Sequence, residues 1–85
     1  MEKVLETIRK KIEEELKRLE IVVDSVTYET SGNYNFLKIV LDKVNGLDLD
    51  MVVEATNLIN PILDQLDLIE EEYILDVSSK ERGNE

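Results

Sequence analysis

No cysteine occurs among the 85 residues, so disulfides and thiolate metal sites are excluded, and nothing ties the chain to an oxidising compartment. Histidine is also absent, which removes the commonest general base and the commonest transition-metal ligand. The hydroxyls of Ser78 and Ser79 therefore have no imidazole to activate them. Three glycines stand apart at positions 32, 46 and 83, so no glycine-rich phosphate loop exists. The opening stretch, MEKVLETIRKKIEEELKRLE, mixes charged and apolar residues throughout. That pattern is neither a signal peptide nor a membrane span, and the cytoplasm is the expected address.

What is present fits one small globular domain. Hydrophobic residues make up 42% of the chain, enough for a core, although a domain of this size hides only about 60% of the surface its unfolded chain exposes. The formal net charge is −10 and its distribution is uneven. Residues 1–20 carry six bases and six acids, so the whole excess falls on residues 21–85. Such a surface repels phosphate, because nucleic-acid affinity rests mainly on Lys and Arg. It favours a basic protein as partner. Solubility is the plainer explanation of the same charge.

Residues 2–19 read as an amphipathic helix, with Val4, Leu5, Ile8, Ile12, Leu16 and Leu19 on one stripe. Glu6–Lys10, Glu13–Lys17 and Glu14–Arg18 place an acid four residues before a base on the solvated face. Residues 21–30 (IVVDSVTYET) and 34–43 (YNFLKIVLDK) read as strands. The Ser31-Gly32-Asn33 turn joins them into an antiparallel hairpin. Asp48 is placed to cap a second helix, with Asp50 in its first turn and an apolar stripe of Val52, Ala55, Ile59, Ile62, Leu63 and Leu66. Pro61 cannot donate to the carbonyl of Asn57, so a kink or a break is expected near residues 57–61. Glu70-Glu71-Glu72 form an acidic connector to a last short strand, 73–78. The polar tail, 80–85, is expected to be disordered.

The predicted order is α-β-β-α-β, an α+β fold with two helices packed on one face of a three-stranded sheet. The other sheet face is expected to be open, with Phe36 and Val40 on it, and Tyr28 or Tyr34 as further candidates. Exposed apolar residues on an open sheet mark a docking surface. The order is similar to the prokaryotic KH fold, but the chain has neither its GXXG loop nor a basic groove. Asp48, Asp50 and Glu54 fall short of a calcium loop, which needs more ligands and a placed glycine. No metal site, catalytic residue or cofactor is therefore expected.

Four stretches together resemble the N-terminal domain of the RimP family of ribosome maturation factors. They are EIVVDSVTYETSGN (20–33), FLKIVLDK (36–43), NGLDLDMVVEATNLINPILD (45–64) and YILDVSS (73–79). In that family a strand of the form LRVYIDK leads through a Gly-containing loop into a helix opening like TLDDCxxVSRxIxxxLD, and a strand like Y-x-LEVSSPG follows. The resemblance implies a non-catalytic factor that binds the immature small (30S) ribosomal subunit and assists its maturation. The implied partners are that particle and its basic ribosomal protein, the twelfth of the small-subunit set, with 16S rRNA met indirectly; neither membrane nor DNA is implied. Residues 1–79 are expected to correspond to the family domain, and the SH3-like second domain into which members normally continue is expected to be absent from these 85 residues. Phe36, Val40, Asp42, Asp48 and Asp50 are the surface residues expected to contact a partner. An acidic protein–protein interaction module unrelated to ribosomes is the alternative.

Overall fold

The computed structural model describes residues 1–80. Helix α1, Glu2–Leu16, runs into a 3₁₀ turn at Lys17–Leu19. Strands β1 (Val22–Ser31) and β2 (Tyr34–Asp42) follow, then helix α2 (Leu49–Leu66) and strand β3 (Ile74–Ser79). The expected α+β order is the observed one.

Each element follows from local chemistry. The stripe Ile8, Ile12 and Leu16 is buried, as its spacing requires. The helix stops in a Schellman motif: Glu20 takes a left-handed conformation at φ 62°, its N–H bonds Lys17 O, and the Ile21 N–H bonds Leu16 O. Buried Ile21 and Leu16 join the same core. Gly32 supplies the positive φ, 61°, that the two-residue hairpin turn needs. Asp48 caps α2 by accepting the Met51 N–H at 2.9 Å, and Asp50 sits in the first turn. Helix α2 runs unbroken through Pro61, so the expected break does not occur. Both Pro61 and Asn57 lie on the exposed side, where water can take the carbonyl that proline leaves unbonded, while buried Ile59, Ile62 and Leu63 hold the helix to the core.

Strand β2 lies at the centre of the sheet, antiparallel to β1 and parallel to β3. The sheet is thus mixed: α2 carries the chain back between β2 and β3, the crossover that parallel neighbours require. Leu37, Ile39 and Leu41 are fully buried against the helices with Val23, Ala55 and Ile59. No polar or charged residue is buried among those described. Of the expected helix-face ion pairs, Glu6–Lys10 forms at 3.7 Å. Glu13 instead pairs with Arg9 at 3.5 Å, and Arg9 also donates to the Val23 carbonyl at 2.8 Å. The 3₁₀ tightening at residues 17–19 changes the helical spacing, and neither Glu13–Lys17 nor Glu14–Arg18 pairs among the described residues. Lys80, expected to begin the tail, is fastened: its N–H bonds Leu41 O at 2.7 Å and its ammonium meets Asp24 at 3.2 Å. The rest of the expected tail, 81–85, lies outside the described residues.

Candidate interaction surfaces

Alternation along β2 sends every second side chain away from the helices. Tyr34, Phe36, Lys38, Val40 and Asp42 share this outer sheet face. Register adds Val22, Thr27 and Glu29 from β1 and Ile74, Asp76 and Ser78 from β3. Phe36 and Val40 are half-buried by these neighbours, whereas Tyr34, Val22 and Ile74 are exposed. Lys38 sits mid-face and meets Glu29 at 3.1 Å. Phe36, Val40 and Tyr34 thus lie where the alternation predicts.

Tyr28 does not. Between Val23 and Ser25 the register shifts, leaving Asp24 as an extra residue in β1. A bulge of this kind switches the faces of all later side chains. Tyr28 therefore stands opposite Leu37 and packs on the core.

The five residues expected to contact a partner are not one cluster. Phe36, Val40 and Asp42 lie along one strand face, and the Asp42 carboxylate accepts the Lys43 N–H at 2.8 Å. Asp48 and Asp50 belong to the start of α2, in the layer packed on the opposite face, and both are exposed. Asp48 already has a structural task in the helix cap. Glu54 is exposed as well, and no group of three or more potential metal ligands occurs among the described residues.

Three residues near these acids were absent from the sequence-based set. Val44 (86% exposed) sits on the turn feeding α2, and Leu49 (77%) and Val53 (51%) lie one helical turn apart on its outer side. The signal was available, because Leu49 and Val53 fall outside the apolar stripe that α2 buries. The ridge beside them carries Asp50 and Glu54, also four residues apart. From residue 44 to 79 the chain has nine acids and not one Lys or Arg.

At the opposite end of the sheet a groove of about 670 Å³ opens between the end of α2, the hairpin and the start of β3. Asp64, Glu71 and Glu72 line it with Tyr34, Tyr73 and the amides of Asn33, Asn35 and Asn60. Asn35 ties the hairpin to the connector by donating to Glu72 O at 3.1 Å. The adjoining Tyr28 hydroxyl is enclosed without an acceptor in hydrogen-bond geometry. Burial first, then the Glu71 carboxylate, push its pKa above the ordinary 10. Burial, followed by Asp64 and Asp67, raises that of Tyr73 in the same way.

Among the described residues, no helix is long and apolar enough to cross a membrane. Among the same residues, the surface offers exposed apolar side chains and acids without bases beside them on α2. Residues 11–80 match the sequence family of the RimP N-terminal domain, a span that takes in the C-terminal part of α1, from residue 11, and every later element. The chain belongs to the RimP family of ribosome maturation factors, as its N-terminal domain.

Proposed function

We propose that this domain binds the immature small (30S) ribosomal subunit in the cytoplasm and assists its maturation by transient, non-covalent contact. Its direct partner on that particle is the basic ribosomal protein twelfth in the small-subunit set, and 16S rRNA is met indirectly. Family membership supports the ribosomal setting. The observation that carries the choice of partner is the run of residues 44–79, nine acids without a base. Bare rRNA would have to approach that charge phosphate first, with no Lys or Arg to replace its counterions. A basic protein gains from it in both encounter rate and register. Phe36 and Val40 on the open sheet, with Asp42, Asp48 and Asp50, are the proposed contact residues, and no catalytic step is assigned to any of them.

Sedimentation through a gradient tests the reading. The chain is expected to travel with free small subunits at low salt, and not with mature 70S particles. Absence from the small-subunit fraction at every salt concentration would reject it. Capture of purified non-ribosomal proteins alone would favour the acidic interaction module.

A further inference from the structure

We infer that the outer face of the first two turns of α2 is the docking surface for a basic protein segment that carries apolar side chains. This deepens the reading above and rests on it for the identity of the partner, though not for the chemistry of the surface. Leu49 and Val53 form an exposed apolar ridge, and Val44 on the preceding turn is the most exposed large apolar residue among those described. Neither half of α2 needs Leu49 or Val53 for its own packing, since the buried stripe runs through Ala55, Ile59, Ile62 and Leu63. Exposed apolar side chains set together among polar neighbours are a feature of interaction sites.

The charge beside that ridge selects the occupant. Asp50 and Glu54 flank it, neither meets a cation among the described residues, and α2 contains no Lys or Arg at all. A second copy of this chain would bring like charges together, and RNA would bring phosphate against carboxylate. A segment of Lys or Arg interspersed with apolar residues satisfies both ridges at once. The open sheet face is less selective, because Lys38 already balances Glu29 there and Lys80 balances Asp24.

The test is an NMR titration of the isotope-labelled 85-residue chain with the purified twelfth small-subunit protein and, separately, with a synthetic Lys–Leu peptide. Amide shifts are expected at residues 44–57 with both probes. Leu49→Ser with Val53→Ser should weaken binding by roughly ten-fold or more, as expected for losing two interfacial apolar contacts. Asp50→Asn with Glu54→Gln should weaken it less and flatten its salt dependence. Glu6→Gln with Lys10→Gln, on the far helix, should leave it unchanged. Shifts that reach Phe36 and Val40 but not residues 49–54 would overturn the assignment. So would an unaltered affinity in the Leu49/Val53 variant, the same shifts produced by a 16S rRNA fragment, or self-association that this variant abolishes. Shifts with the peptide but none with the ribosomal protein would uphold the surface and reject the ribosomal partner. Silence with both probes would overturn the surface itself.

Discussion

Helices α1 and α2 lie side by side on one sheet, and each buries a similar stripe: Ile8, Ile12 and Leu16 in the first, Ile59, Ile62 and Leu63 in the second. Their outer faces differ. That of α1 alternates acids and bases, with Glu6–Lys10 and Arg9–Glu13 paired and Arg9 reaching across to the Val23 carbonyl. That of α2 holds unpaired acids and exposed Leu49 and Val53, with no base anywhere along the helix. Both helices build the core equally well, so the difference is not a requirement of folding. On the proposed reading, α2 is the helix that faces a partner and α1 the one that faces water.

The comparison breaks first at its shared part. Ile12→Ala and Ile59→Ala each remove a fully buried side chain, and each should cost about 2–5 kcal/mol in urea unfolding. A large gap between the two would show that the helices do not contribute equally to the core. Pro61→Ala restores the hydrogen bond to Asn57 and a better helix former, and should raise stability by about 1–3 kcal/mol. A neutral result would mean that α2 has adapted its backbone to proline. Asp48→Ala removes the side-chain cap of α2 and should cost about 1 kcal/mol. The equivalent change at Met1 of α1, which makes no side-chain cap bond, should cost almost nothing. Glu20→Gly relieves the left-handed residue that ends the first helical segment, for a gain of roughly 0.5–1 kcal/mol in thermal unfolding. A loss there would show that the pairing of Glu20 with Lys43, 3.8 Å apart, outweighs backbone strain.

A pH effect separates the two ends of α2. The folded-state pKa values of Tyr28 and Tyr73 lie above 10, so the fold favours the protonated phenols. Their stabilising contribution is complete below pH 10 and is lost as pH rises through the elevated values. Phenolate absorbance should therefore develop late for these two, with stability falling in the same range. Tyr28→Phe removes a hydroxyl that makes no hydrogen bond of good geometry but lies near the Glu71 carboxylate, and it should be close to neutral. It should also erase part of that alkaline loss.

Much of this was readable from residue order. Helical and alternating periodicities give every element, with the strands placed to within a residue and α1 read on through the 3₁₀ turn that follows it, and Asp48 announces the cap of α2. Three features were not legible, for physical reasons. Helix ends are marked in sequence by Gly or Asn, but here the left-handed residues are Glu20 and Asp67, held by neighbouring hydrogen bonds. The bulge at Asp24 has no composition signal, and it alone sends Tyr28 to the core instead of the open face. The parallel pairing of β3 depends on where α2 packs, which is a tertiary outcome. As for the proposed surfaces, the outward position of Phe36 and Val40 follows from alternation, and Asp48 and Asp50 lie at the start of α2. Leu49 and Val53 were legible too, since both fall outside the apolar stripe read for that helix.

The most direct test compares helices by charge on the ribosomal particle itself. Association of the chain with immature small subunits should be measured against salt for the unaltered protein, for Asp50→Asn with Glu54→Gln, and for Glu6→Gln with Lys10→Gln. Binding is predicted to weaken with salt, to weaken further and lose part of that salt dependence in the α2 variant, and to be unchanged in the α1 variant. Tighter binding after the α2 acids are neutralised would mean that this helix faces phosphate, and would contradict the account.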